Sequence, residues 1–206
     1  MIRGKATEYI AAIVLKQTLN PREWHVQKLN LNPQSNQYDE DISVTFSRTG
    51  KRLKVEAKSA VRASFSKGSK NTKVQMPHFK VKCHKSRSNI SKSKTTNDRY
   101  MADEFDLIIC NISNALFKGK SMRPELELIE TREAVSWLKD FYGVETDNEL
   151  IRKAYDDWMF CFPATIALAD GSVPRTPTVK VEKDENWFRI SELENKLLEK
   201  IEQAAI

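Results

Sequence analysis

The stretch YDEDISVTFSRTGKRLKVEAKSA, residues 38–60, decides the fold. Apolar and polar residues alternate in Asp41–Phe46 and again in Leu53–Lys58, with the period of two that is typical of β-strands. Ser47–Lys51 joins the two segments and contains Gly50, which can supply the positive φ that tight turns require. The stretch therefore predicts a β-hairpin.

The charged residues of this hairpin are predicted to gather on one face. Glu56 and Lys58 are two residues apart, so their side chains leave the same face of a strand, and the turn brings Asp41 alongside them. Two converging carboxylates repel unless a cation lies between them, and carboxylates are ligands that Mg²⁺ prefers. A neighbouring lysine can help to activate water or neutralise charge on a phosphate. Two interpretations remain open: a metal site for phosphodiester hydrolysis, or an exposed ion pair worth under ~1 kcal/mol.

Helices and strands are also predicted on both sides of the hairpin. Runs of good helix formers predict the helices, and a nearly continuous apolar run, FDLIICNI, predicts a strand buried on both faces. Ser191 and Glu194 have the spacing of a capping box. The predicted helices are Lys5–Leu19, 131–142, Asp147–Trp158 and Ser191–Gln203, and the further strands are Trp24–Asn32, Phe105–Ile112, Glu125–Glu130 and Met159–Ala169, the last bent at Pro163.

This order of elements predicts a single α/β domain over residues 1–206. We expect a central mixed sheet of four to five strands with helices on both faces. The basic residues 59–99 form an insert in this scheme, in which an extra hairpin is expected within 73–83. Residues from about 140 to 206 form a C-terminal extension that the sequence assigns to no subfamily.

The positive charge of the chain is concentrated in one segment. The whole chain has a net charge of +6, and residues 57–97 contain eleven Lys or Arg and no Asp or Glu. Such a segment is attracted to polyanions, of which nucleic acid is the commonest. The alternative is a solvated loop without a partner.

Several features favour a cytoplasmic protein without a membrane anchor. No run approaches the ~20 apolar residues that a bilayer-spanning helix needs, and Glu8 interrupts the only apolar run near the N-terminus. The three cysteines, Cys83, Cys110 and Cys161, are odd in number and scattered, which suits a reducing compartment and no disulfide framework.

The hairpin resembles the active-site region of the PD-(D/E)xK nuclease superfamily, which has the restriction-endonuclease-like fold. In that superfamily an acidic residue begins one strand and a (D/E)-x-K triplet lies on the next. Here these are Asp41 in EDISV and 56–58 in VEAKS. Many members also carry a glutamate on the first helix, where this chain has Glu8. FDLIICNI resembles a later core strand of the superfamily.

The resemblance implies a metal-dependent endonuclease, most like a type II restriction endonuclease acting on double-stranded DNA as a homodimer. It implies that Asp41, Glu56 and the carbonyl of Ala57 bind Mg²⁺ or Mn²⁺, with Glu8 in support. Lys58 would then orient or deprotonate the attacking water.

The same resemblance assigns the basic segment to DNA contacts. Lysines and arginines there would hold the phosphate backbone, and arginine or amide side chains would reach base edges. The candidates are Arg62, Lys67, Lys70, Lys73, Gln75, Lys80, Lys82, Lys85, Arg87 and Asn89.

The sequence departs from the superfamily pattern at two points. Glu40, not proline, precedes Asp41, and Asp39 competes with Asp41 for the acidic role. Two further readings also remain: a repair or junction-resolving nuclease of the same fold, and a nucleic-acid-binding α/β domain without hydrolytic activity.

Overall fold

A six-stranded mixed sheet forms the centre of the computed structural model, which describes residues 2–28, 41–71, 73–85, 98–118, 128–129 and 132–203. The strands are β1 (Trp24–Lys28), β2 (Ile42–Phe46), β3 (Lys51–Ser59), β4 (His78–Lys80), β5 (Leu107–Asn111), β6 (Trp158–Cys161), β7 (Thr178–Lys180) and β8 (Trp187–Arg189), and the helices are α1 (Ile2–Thr18), α2 (Arg132–Tyr142), α3 (Asp147–Asp156) and α4 (Leu193–Gln203). The order in the central sheet is β1-β2-β3-β5-β6-β8, and β4 and β7 form a separate pair.

The predicted hairpin is confirmed. Strands β2 and β3 pair antiparallel, with Ile42 opposite Val55 and Phe46 opposite Lys51. Gly50 in the turn has φ 68°, a conformation that costs a residue with a Cβ about 1–2 kcal/mol. The register therefore places Asp41, one residue before β2, opposite Glu56.

Helices cover both faces of the sheet, as the sequence predicts. Leu15 of α1 and Leu197 of α4 pack with Val55 and Leu107 on one face. Leu138 of α2 and Leu150 of α3 belong to the core on the other face. The sheet has six strands, one or two more than expected, because β8 adds an edge strand beside β6.

A parallel pair of strands fixes the position of the functional site. Strand β5 runs parallel to β3, and the pairing extends from Val55 opposite Leu107 to Ser59 opposite Asn111. Carboxyl ends of parallel strands meet at the same edge of a sheet. Lys58 and Ser59 therefore end beside Asn111, and the first turns of α1 lie close enough for Thr7 Oγ1 to bond Ser59 Oγ at 3.1 Å.

Several predicted boundaries are corrected by buried aromatic residues and by proline. The predicted helix to Trp158 ends at Asp156, because Trp158 begins β6 and its side chain is buried. Strand β6 ends at Cys161, before a 3₁₀ turn at Pro163–Ile166. The predicted strand 125–130 is described only at 128–129, where Leu128 forms an isolated bridge with Phe117.

The predicted capping box at Ser191 is wrong. Helix α4 begins at Leu193 after a 3₁₀ turn. The Glu194 carboxylate instead accepts hydrogen bonds from the indole of Trp24 (3.1 Å) and the backbone N–H of Asn20 (3.2 Å). This contact ties α4 to the chain that follows α1.

Part of the basic segment packs into the fold. Phe65, Phe79 and Val81 are each at most 5% exposed and belong to the core, whereas most residues from Ser69 to Met76 are exposed. The extra hairpin predicted within 73–83 is wrong, because β4 pairs with β7, about one hundred residues later. A solvated loop therefore does not describe Phe65, Phe79 and Val81.

No helix in the described ranges combines the length and apolar character needed to cross a bilayer.

Candidate functional site

A cleft of about 1150 Å³ opens at the carboxyl ends of β3 and β5. The first turns of α1 form one wall, and the polar residues Asn111, Ser113 and Asn114 that end β5 and follow it form another. The acidic and basic residues on its lining are Glu8, Asp41, Glu56, Lys58, Arg62, Lys82 and His84. The cleft thus brings together all four predicted catalytic residues and two of the predicted DNA contacts.

Two carboxylates face each other at the floor of the cleft. Asp41 accepts a hydrogen bond from the backbone N–H of Ala57 at 3.1 Å. Burial, the charge of Glu56 and the charge of Glu8 raise the pKa of Asp41 to about 8. Burial also raises the pKa of Glu56, which is 5% exposed. Ionising both carboxylates without a cation beside them is therefore unfavourable.

Lys58 lies beside these carboxylates in a fixed position. Its ammonium donates hydrogen bonds to Glu56 Oε1 and to the hydroxyl of Tyr100, the latter at 3.0 Å, and it lies 4.4 Å from the centroid of the Tyr100 ring. Burial opposes the charged form, but Glu56 and Tyr100 outweigh it and raise the pKa of Lys58. Lys58 is therefore a cation at neutral pH.

The two oxygens of Glu56 have different surroundings. Oε1 accepts from Lys58 and lies 3.4 Å from the Tyr100 hydroxyl. Oε2 is buried and has no hydrogen-bond partner among the described residues, a situation that costs about 1–3 kcal/mol or more for a charged group. The interpretation of these charges as an exposed ion pair is wrong, because the Lys58 and Glu56 side chains, which do form an ion pair, are only 12% and 6% exposed. A cation beside Oε2 would satisfy the unpartnered atom.

The acidic residues offer a limited ligand set for a metal. In the ranges that the structure describes, no three His, Cys, Asp or Glu side chains form a cluster that would hold a metal ion. Asp41, Glu56 and the Ala57 carbonyl fit a hard divalent ion that keeps several waters, which is the usual habit of Mg²⁺. These three ligands remain a prediction, and the competing Asp39 lies outside the described residues.

Glu8 lines the cleft, and its carboxylate forms an ion pair with Lys28 of β1. Its Oε2 accepts a hydrogen bond from Lys28 at 2.8 Å, and both side chains are nearly buried. Glu8 acts on the cleft through its charge, which contributes to the raised pKa values of Asp41 and Glu56. Its role in catalysis remains a prediction.

The predicted DNA contacts divide by position. Arg62 and Lys82 line the cleft, and Arg62 Nε donates to the Lys118 carbonyl at 2.6 Å. Two others form ion pairs outside it, Lys67 with Glu133 (2.8 Å) and Lys85 with Glu104 (2.6 Å). The exposed residues away from the cleft are Lys70, Lys73, Gln75 and Lys80, whereas Arg87 and Asn89 lie outside the described residues.

Tyr100 is the residue of the site that the sequence did not indicate. It lies 42 positions after Lys58, no motif includes it, and a buried tyrosine is usually a core residue. Its ring packs edge-on against Phe105 at 5.0 Å between centroids. The available sequence signal is weak: Tyr100 stands where the polar segment gives way to the apolar strand.

The fold and cleft together define a mixed α/β protein with two carboxylates and a lysine in one cleft. No protein-family profile matches the chain, and no curated protein matches it significantly. Among solved structures the chain is similar to a bacterial homing endonuclease, I-Ssp6803I, at 14% sequence identity and a TM-score of 0.40, with 100% of this chain and 98% of that chain covered. A likeness of this size carries no weight for function, which is inferred below from the cleft.

Proposed function

We propose that this protein is a metal-dependent endonuclease that hydrolyses DNA phosphodiester bonds, of the PD-(D/E)xK superfamily and of the restriction type. The observation that carries the proposal is the meeting of Asp41, Glu56 and Lys58 in one cleft, where no described residue bonds the buried Oε2 of Glu56. The restriction type is supported by the resemblance of the motif alone.

Asp41, Glu56 and the Ala57 carbonyl would hold the divalent ion, Mg²⁺ or Mn²⁺. Both carboxylates have raised pKa values, mainly because they are buried, and the charge of Glu56 adds to the effect at Asp41; a divalent ion would offset this cost. When bound, the ion supplies positive charge that stabilises the phosphate as the P–O bond breaks. Glu8 adds negative charge at the same place.

Lys58 orients the attacking water and neutralises charge on the phosphate. Its raised pKa favours these roles over proton abstraction, because its ammonium stays protonated. Tyr100 and Glu56 hold it in place, so the charge needs little reorganisation during reaction. Arg62 and Lys82, on the wall of the same cleft, bind the neighbouring phosphates.

Two DNA strands need two cuts, so the proposal includes a homodimer with one cleft for each strand. A repair or junction-resolving nuclease would use the same cleft and differ in the DNA it accepts. A cation-binding role for Glu56 favours a nuclease over a binding domain without catalysis, because within the described ranges its buried Oε2 has no other partner to offset the cost of burial.

Plasmid cleavage tests this proposal. Supercoiled plasmid is incubated with wild type, Glu56→Gln and Lys58→Ala in Mg²⁺ or in chelator, and Lys16→Ala, an exposed lysine further along α1, serves as the matched control. We expect cutting by wild type and the control only in Mg²⁺, and none by the other two variants.

A second readout separates metal binding from activity. We expect Mg²⁺ to raise the melting temperature of wild type and of Lys16→Ala but not of Glu56→Gln, because binding to the folded state stabilises it. Circular dichroism verifies that each variant is folded. Equal cutting by wild type, Glu56→Gln and Lys58→Ala would place the active site elsewhere.

A further inference from the structure

A two-stranded β-ribbon extends from the cleft. Strands β4 and β7 pair with His78 opposite Lys180 and Lys80 opposite Thr178. Backbone hydrogen bonds continue the same register at both ends, from Val181 N to Pro77 O (2.9 Å) and from Cys83 N to Arg175 O (2.8 Å). The ribbon therefore comprises residues 77–83 and 175–181.

The two faces of the ribbon differ sharply in polarity. On the inward side the central residues Phe79, Val81 and Val179 are apolar and at most 1% exposed, whereas Arg175, at the end of the ribbon, is exposed. The outward side chains, which we call the ribbon face, are partly or fully exposed and polar. They are His78, Lys80, Lys82, Thr176, Thr178 and Lys180.

The ribbon is attached directly to the strand that carries the predicted catalytic residues. Lys82 N donates to Ser59 O (3.0 Å) and Val61 N donates to Lys80 O (2.7 Å), so the chain that continues β3 pairs with the ribbon. Lys82 and Thr176, which the register places opposite each other, also line the cleft. The ribbon face thus begins at the cleft and leads away from it.

The charge of the ribbon suits a polyanion. Neither 77–83 nor 175–181 contains Asp or Glu, and the ribbon face has three lysines. Two acidic groups lie near Lys180: Glu185, itself 85% exposed, is 3.7 Å from its ammonium, and Asp184 accepts a hydrogen bond from its backbone N–H at 2.8 Å. Both lie at this one end, so the face stays positive around Lys80 and Lys82.

We propose that the ribbon face enters the major groove of duplex DNA beside the phosphate that is cut; this rests on the proposed function. The major groove is about 12 Å wide and admits a two-stranded ribbon, whereas the minor groove is about 6 Å wide. From His78 to Lys82 the ribbon face extends roughly 13 Å, or about four base pairs at ~3.4 Å each. Lysine and threonine side chains pair with base edges in this groove.

The proposal assigns DNA contacts to Thr178 and Lys180, which lie far outside the basic segment. Its test measures binding of a fluorescent random-sequence duplex in chelator to wild type, to the double variant Thr178→Ala/Lys180→Ala, and to the control Lys16→Ala. We expect the double variant to bind about tenfold more weakly than wild type. A contact between the Lys180 ammonium and a phosphate would also make Lys180→Ala alone reduce the slope of log affinity against log salt by about one.

Groove-specific ligands complete the test. We expect methyl green, which occupies the major groove, to displace wild type from DNA, and netropsin, which occupies the minor groove, to leave it bound. Thr178→Glu, which adds a negative charge to the ribbon face, should weaken binding further, and unchanged melting curves show that each variant folds.

Two outcomes would overturn the ribbon assignment and are distinguishable from failure of the proposed function. If wild type cuts plasmid while the double variant binds like wild type, or while netropsin alone displaces the protein, the ribbon does not enter the major groove. If wild type neither binds nor cuts DNA, the proposed function fails and the ribbon assignment fails with it.

Discussion

Replacing Asp41 by asparagine should make the metal-free protein more stable at alkaline pH. The pKa of Asp41 is raised from 3.8 to about 8 by burial and by the charges of Glu56 and Glu8. One pKa unit corresponds to about 1.4 kcal/mol, so the cost of ionising Asp41 in the folded chain is at most on the order of 5 kcal/mol. Asparagine keeps the size of the side chain and an oxygen for the backbone N–H of Ala57.

The sign of the pH dependence follows from the direction of this shift. Below about pH 4 Asp41 is protonated in both states. Between about pH 4 and pH 8 the unfolded chain releases this proton while the folded chain retains it, so the free energy of unfolding falls as pH rises, and it levels off above about pH 8. Asp41→Asn removes this contribution.

Urea unfolding in chelator at pH 5, 7 and 8.5, followed by circular dichroism, measures the effect. We expect Asp41→Asn to exceed wild type at pH 8.5 by on the order of 3 kcal/mol, less than the upper limit because Glu56 shares the repulsion. Asp103→Asn, an exposed carboxylate outside the cleft, should keep the wild-type profile. If Asp41→Asn is no more stable than wild type at pH 8.5, the carboxylates do not repel as described.

Three further substitutions test separate parts of the structure. Tyr100→Phe keeps the ring but removes the hydroxyl that accepts a hydrogen bond from Lys58, so the rate of plasmid cleavage should fall roughly tenfold. A wild-type rate would refute this role. Tyr142→Phe, which removes a partly buried hydroxyl elsewhere, is the control. Glu8→Gln should retain cleavage within about tenfold of wild type, since its carboxylate is engaged by a lysine; complete loss would make it a direct ligand. Phe160→Ala, fully buried between strands, should lower the free energy of unfolding by about 3–5 kcal/mol in urea titration; a loss below about 1 kcal/mol would contradict its place in the core.

The hairpin could be predicted from sequence because the residues that determine it are close together in the chain. Alternation predicts the faces of β2 and β3, and a short turn at Gly50 favours the register in which Asp41 lies opposite Glu56, although a slip of two residues, which keeps the same face, left Asp39 as a competitor. Strand β5 was also recognisable, because a strand buried on both faces is a nearly continuous apolar run.

The surroundings of the carboxylates could not be predicted, because they come from distant parts of the chain. Alternation alone leaves the face of Glu56 either exposed or covered. In the structure it is covered by Tyr100, whose hydroxyl lies 3.4 Å from Glu56 Oε1, and the buried Cys83 of the ribbon lies near enough for electrostatic interaction with Glu56. The second strand of the ribbon, β7, is too short to be recognised locally and forms only by pairing with β4.

Crystals soaked in Mn²⁺ and measured at the manganese absorption edge test the central claim most directly. We expect one anomalous peak in the cleft, within about 2.0–2.4 Å of the carboxylates of Asp41 and Glu56 and of the Ala57 carbonyl. Density that is absent there in wild-type crystals, or that lies at another group of residues while these two carboxylates stay apart, would contradict the claim that they hold a divalent ion.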